Sequence, residues 1–212
     1  MGVSMLRVAV FLDYQNVSLG ARDTFFPRGS SASVGAVDPY RLGRLLAGRI
    51  APAAALESVH VYRGIPDSKR DPKGYGAASR QRAAHEAAGY GIVAYHMRPL
   101  RYPQGWPRVK AQEKGVDVEL AVDYVSMAAR DEYDTAVLFS TDSDLRPALE
   151  AVVALRKPGH AYPRCEVAAW RNPAPSVFSP RLAIRAASVW CHWLSVADFQ
   201  AVADPSNYAA SS

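Results

Sequence analysis

Four aspartates stand at the places where an α/β sheet gathers chemistry. Asp13 directly follows the apolar run 8–12, and Asp142 and Asp144 directly follow the apolar run 135–141. Asp117 opens a helical segment just after Lys114-Gly115. In an open α/β sheet, ligands bind beyond the carboxyl ends of the strands, near the switch in strand order. If those two runs are neighbouring strands, four carboxylates converge on one crevice. Bare carboxylates held that close raise one another's pKa. A divalent cation removes the cost, and an all-oxygen donor set suits Mg²⁺ or Mn²⁺.

Each aspartate also has a plainer reading as a turn former or helix N-cap, and Asp144 could cap the helix that starts near Leu145. It is the joint placement that points to a site. Asp123 lies six positions after Asp117, about 240° away around a helix, and is assigned a supporting or structural role. Asp131, Glu132 and Asp134 fall before the run 135–141, at its opposite end, and read as solvated. His60, His85, His96, His160 and His192 are scattered and read as structural.

These acids need a scaffold that alternates strands and helices. The continuous apolar run 8–12 suits a strand covered on both faces. It stops at Asp13-Tyr14-Gln15-Asn16, and the stretch after it reads as a loop carrying Pro27, Gly29 and several serines. Asp38-Pro39 reads as a cap and first-turn proline, with Leu42, Leu45, Leu46 and Ile50 at helical spacing behind it. Strands are predicted at 59–65, 92–97, 135–141 and 165–170, and helices at 77–88, 116–129 and 145–155. Residues 67–72 and 101–110 read as loops. The alternation predicts an α/β fold, a three-layer Rossmann-like arrangement with a mostly parallel sheet of about five strands. Residues 182–194 could add an edge strand or pack across the sheet. Residues 203–212 read as a flexible tail.

The chain of 212 residues is 49% hydrophobic and 21% charged, an ordinary globular mixture. Two cysteines, Cys165 and Cys191, exclude a disulfide scaffold and a four-cysteine zinc site. No apolar run approaches the ~20 residues of a membrane span. The start runs straight into the first strand without a cleavage site, so a cytoplasmic location is expected. The net charge of +5 hides an asymmetry. Residues 63–110 carry ten basic and three acidic groups, and residues 111–150 carry three basic and ten acidic groups. A +7 block thus adjoins a −7 block. The acidic block holds three of the four aspartates. The basic block supplies Arg98, Arg101, Arg108 and Lys110 beside Tyr95, Tyr102 and Trp106, a mixture that could hold phosphates and stack unpaired bases.

Val10-Phe11-Leu12-Asp13-Tyr14-Gln15-Asn16, Glu113-Lys114-Gly115-Val116-Asp117 and Ser140-Thr141-Asp142-Ser143-Asp144 together resemble the NYN domain family of the PIN-like ribonuclease group. The three motifs span residues 8–155, with a continuation expected to about residue 171. The sequence departs at Thr141, where the family usually carries glycine. The resemblance implies a domain over 1–171, followed by an extension over 172–202 packed on it. It implies Asp13, Asp117, Asp142 and Asp144 as metal ligands for Mg²⁺ or Mn²⁺, in hydrolysis of single-stranded RNA to 5′-phosphate and 3′-hydroxyl ends. Asn16 would orient the cluster or contact substrate, and Thr141 and Lys114 would join Arg98, Arg101, Arg108 and Lys110 on the RNA. The alternative is a catalytically silent PIN-like module that binds RNA or protein. Assembly into a homo-oligomer is left open. An aspartyl-phosphate enzyme is disfavoured, because Gln15 stands where the haloacid-type motif needs a second aspartate.

Overall fold

Val8, Val10, Phe11 and Leu12 are fully buried, because their strand lies at the centre of a sheet with helices on both faces. The computed structural model describes residues 5–157, 159–174, 176–185 and 187–209. Its strands are β1 (Arg7–Asp13), β2 (Ala55–Ile65), β3 (Val93–Pro99), β4 (Thr135–Phe139), β5 (Arg164–Trp170) and β6 (Trp190–Leu194). They form one sheet in the order β3-β2-β1-β4-β5-β6, and every neighbouring pair is parallel. The order reverses between β1 and β4, which places the topological switch beside Asp13.

The helices are α1 (Tyr14–Phe25), α2 (Pro39–Ile50), α3 (Pro72–Ala88), α4 (Val116–Ala129), α5 (Arg146–Leu155) and α6 (Val196–Val202). Tyr14, Val17, Leu42, Leu46 and Phe199 from α1, α2 and α6 bury one sheet face with Val8, Val10 and Leu12. Leu120, Tyr124 and Leu149 from α4 and α5 bury the other with Ala9 and Phe11. Each large apolar side chain fully buried in these layers contributes roughly 1.5–3 kcal/mol. Among the described residues, no helix is long and apolar enough to cross a membrane.

The sheet has six strands where about five were expected. Residues 190–194 form the extra one, pairing with β5 through Val167↔Cys191 and Ala168↔His192. The stretch after Asp13, expected to be a loop, is α1. Its buried positions Tyr14, Val17 and Ala21 follow helical spacing, but Asn16, Ser18 and Gly20 between them mask the pattern. α3 starts at Pro72, not near residue 77. Asp71 caps it by accepting from Gly74 N–H at 2.9 Å, and Pro72 takes the first turn. Gly74 and Gly76, poor helix formers, hide that start.

The segment after β5 packs on the same core. Phe199 packs among Phe25, Phe26 and Trp170, edge to face with the last two, and Ser195 with Asp198 closes a capping box on α6. Of the tail expected at 203–212, residues 203–209 make defined contacts, and 210–212 lie outside the described residues. Ala203 bridges Val37, Asp204 meets His85 at 2.8 Å, and the Arg80 guanidinium donates to Tyr208 O at 2.6 and 3.0 Å.

Candidate active-site cleft

β1 carries Asp13 to its carboxyl end, where the side chain becomes the N-cap of α1. Asn16 N–H donates to Asp13 Oδ1 at 3.1 Å, and the Ser140 hydroxyl donates to Oδ2 at 2.9 Å. Ser140 follows β4, so the two central strands are tied together at the switch point. Ser140 Oγ also accepts from Asp142 N–H at 3.0 Å. Asp142 in turn accepts from Asp144 N–H at 2.9 Å and caps the 3₁₀ turn 143–145. Asp144 does not cap α5, which starts from Leu145 without a side-chain cap; Asp142 caps the 3₁₀ turn that precedes it.

Asn16 is fixed from the opposite side. Its Oδ1 accepts from both the backbone N–H and the hydroxyl of Thr141, each at 3.1 Å. Among the described residues, the Asn16 amide nitrogen has no hydrogen-bond partner and is left as a donor. Thr141, the departure from the usual glycine, thus locks Asn16.

Gly115 supplies the turn into α4 with φ +77°, a left-handed conformation that favours glycine. Asp117 then sits in the first turn of α4, where the helix dipole favours an anion. Glu113, quoted in the sequence motif without a role, also enters the site. Its Oε1 accepts from Gly64 N–H at 2.6 Å.

Asp13, Asp117, Asp142, Asn16 and Thr141 line one cleft of about 1000 Å³, joined by Glu113 and Arg63. The walls come from α1, from the segment 111–113, and from Asn172 and residues 177–180. The C-terminal segment therefore helps build the cleft, and Phe178 stands on its rim 85% exposed. Asp144 is exposed and does not line the cleft, but its charge reaches Asp117.

The electrostatics match a crowded acid site. Burial pushes Asp13, only 5% exposed, up to about 6. The Asn16 and Ser140 hydrogen bonds oppose that rise, while the charges of Asp117 and Glu113 add to it. Burial also raises Asp117, and the charges of Asp142 and Asp144 raise it further. Glu113 is raised by burial and held back by the Gly64 N–H and Arg63. Arg63 is the cation inside the cleft. It donates to Gln81 Oε1 at 2.6 Å and lies over the Tyr14 ring at 5.1 Å. Its position in β2, with β3 between it and the motif that holds Asp117, gave no sequence signal.

No three ligand atoms drawn from Asp13, Asp117, Asp142 and Asp144 lie within 4.8 Å of one another; among the described residues, only His96, Glu119 and Asp123 meet that spacing. A Mg²⁺ ion keeps several waters and takes one or two carboxylates directly, so the wider spacing of the cleft acids suits it.

The basic candidates lie elsewhere. Arg98, Arg101, Arg108, Lys110 and Lys114 are exposed and do not line the cleft. Arg98 pairs with Glu119 at 3.2 Å. The Arg101 backbone bridges Gln112, which places the 101–112 loop at the cleft edge. Tyr102 and Trp106 pack edge to face at 5.3 Å. Tyr95 is committed to His85, with 2.6 Å between its hydroxyl and Nδ1, and is not free to stack a base.

The NYN domain profile matches residues 7–162, a range that takes in β1 to α5 and all four aspartates. Such domains carry a PIN-like nuclease fold and are generally ribonuclease-like. No curated protein matches the chain. Among solved structures, the chain is similar to a protein of unknown function from Vibrio parahaemolyticus. The identity is 17% over 79% of this chain and 84% of the other, with a TM-score of 0.49.

Proposed function

The chain belongs to the NYN domain family, and from that premise we propose that it is a divalent-metal-dependent endoribonuclease acting on single-stranded RNA. The observation that carries the reading is the convergence of Asp13, Asp117 and Asp142 in one cleft at the switch between β1 and β4. The donor set fits a hard cation. It is all oxygen, and the acids there are raised by burial and by one another. Asp13, Asp117 and Asp142 would hold Mg²⁺ or Mn²⁺, with Asp144 adding charge from the rim. When bound, the cation supplies charge for the phosphate oxygens and lowers the pKa of the attacking water.

The chain's own residues do the rest. The Ser140 and Asn16 contacts fix the rotamer of Asp13, so its carboxylate is oriented before substrate arrives. The free amide of Asn16 donates to a phosphate oxygen. Arg63 places a positive group on the cleft lining. Water adds to phosphorus, the P–O3′ bond breaks, and the products carry a 5′-phosphate and a 3′-hydroxyl. Arg101, Arg108, Lys110, Lys114 and Arg98 extend the phosphate track away from the cleft.

Incubation of the chain with labelled single-stranded RNA tests the reading, with Mg²⁺, Mn²⁺ or EDTA and with Asp13→Asn and Asp142→Asn alongside. Cleavage that needs the metal and both aspartates supports it. Binding without cleavage under every metal condition favours the silent module, and cleavage in EDTA defeats the mechanism.

A further inference from the structure

A second cluster of ligand-type side chains lies outside the cleft. His96 is on β3, paired in register with Tyr62 of β2. Glu119 and Asp123 lie four apart on α4, so they share one helix face. One ligand atom from each of the three lies within 4.8 Å of the others. None of the three lines the cleft.

The surroundings hold these groups in place. The Tyr62 ring stacks on His96 with centroids 4.4 Å apart and an interplanar angle of 12°. The same residue's hydroxyl donates to Asp123 Oδ2 at 2.9 Å. Tyr62 therefore orients two of the three groups. His96 Nδ1 faces Asp123 Oδ2 at 3.6 Å, too long for a hydrogen bond. On the far side of the ring, His96 Nε2 meets His60 Nδ1 at 3.1 Å. When His96 donates there, its Nδ1 is a bare lone pair aimed at a carboxylate. That juxtaposition is repulsive until a cation lies between them. A ligating histidine commonly donates its other N–H to a fixed partner, and His60 Nδ1 stands at hydrogen-bond distance to take that proton. Arg98 occupies only Oε2 of Glu119, which leaves the other oxygen available.

We propose that His96, Glu119 and Asp123 form a second metal site, separate from the aspartate cleft, for a borderline transition ion such as Zn²⁺. One imidazole with two carboxylates is a mixed nitrogen and oxygen set, which suits Zn²⁺ with a water completing the shell and disfavours Mg²⁺. The site joins α4 to the edge strand β3, so metal there braces the helix that carries Asp117.

Calorimetric titration of Zn²⁺ into the EDTA-stripped full chain tests this. The background is Asp13→Asn with Asp142→Asn, which removes two of the three cleft ligands and leaves the second set intact. One Zn²⁺ site is expected to remain, and adding His96→Phe, which keeps the ring stack, weakens it at least tenfold. Co²⁺ in the same background gives a visible absorption band that the His96→Phe variant loses. Glu119→Gln is read alongside, so that a folding defect in one variant does not decide the result. Absence of Zn²⁺ binding in the background overturns the proposal, as does unchanged binding in both His96→Phe and Glu119→Gln. Loss of RNA cleavage plays no part in these readouts, so failure of the nuclease reading leaves this test separate.

Discussion

Asp13→Asn should make the metal-free protein more stable at neutral pH while removing its activity. Asp13 is almost fully buried, and its carboxyl is raised from the ordinary 3.8 to about 6. In the unfolded chain it ionises near 3.8; in the folded chain it stays protonated to about 6. Between these values the folded state binds the extra proton, so stability falls as pH rises and levels off above about 6. The gap of roughly two pH units at about 1.4 kcal/mol each makes the ionised form cost about 3 kcal/mol. Asparagine carries no charge and is itself a good N-cap, so the contact to Asn16 N–H survives. The Ser140 hydroxyl can turn to serve the new amide. Allowing about 1 kcal/mol for that rearrangement, the net gain above pH 7 is about 2 kcal/mol, or roughly 4–8 °C in Tm for a chain of this size. Urea unfolding in EDTA across pH 4–8 measures it. The variant and wild type should coincide near pH 4 and diverge up to about pH 6.5. A variant less stable than wild type at pH 8, with a parallel pH profile, would refute the claim that Asp13 is held at a cost for its chemistry.

Ser140→Ala removes the donor to Asp13 Oδ2 and the acceptor for Asp142 N–H. It should cost about 1–3 kcal/mol at pH 7.5 and move the acidic limb of the pH–rate profile upward, as kinetics from pH 5 to 8 will show. Gly64→Ala places a Cβ against Leu100 Cδ2 and 2.9 Å from Glu113 Cγ. Moving Glu113 off the cleft wall should cost about 1–3 kcal/mol and lower kcat more than it raises KM, measurable by denaturation and steady-state kinetics. Replacing Arg108 and Lys110 together with alanine should weaken RNA binding and reduce the slope of log K against log salt by about 0.7 per lost phosphate contact. Fluorescence anisotropy at several salt concentrations reads that slope.

The centre of the fold was legible because its strands are continuous apolar runs. Residues 8–12 can only be covered on both faces, and 116–129 emerges as α4 with the same bounds. α1 was not legible, since Asn16, Ser18 and Gly20 are polar or small for reasons outside the helix. Asn16 belongs to the cleft, and Gly20 lies close under the Trp170 ring. The strand-end aspartates could be placed from the alternation alone, because topology decides where strand ends meet. Arg63 and Phe178 reach the cleft only through sheet register and a folded-back C-terminal segment, neither of which leaves a local pattern. The histidines show the same limit. His96 looks isolated in sequence, and only the β2–β3 register sets it beside Tyr62 and across from Asp123.

The most direct measurement of the central claim is end-group analysis of single-stranded RNA incubated with the chain and Mn²⁺ or Mg²⁺, beside Asp142→Asn. The account predicts new internal cuts bearing 5′-phosphates, abolished by EDTA and reduced at least a hundredfold in the variant. Cuts of equal rate in the variant, or products ending in 2′,3′-cyclic phosphates without metal, would contradict it.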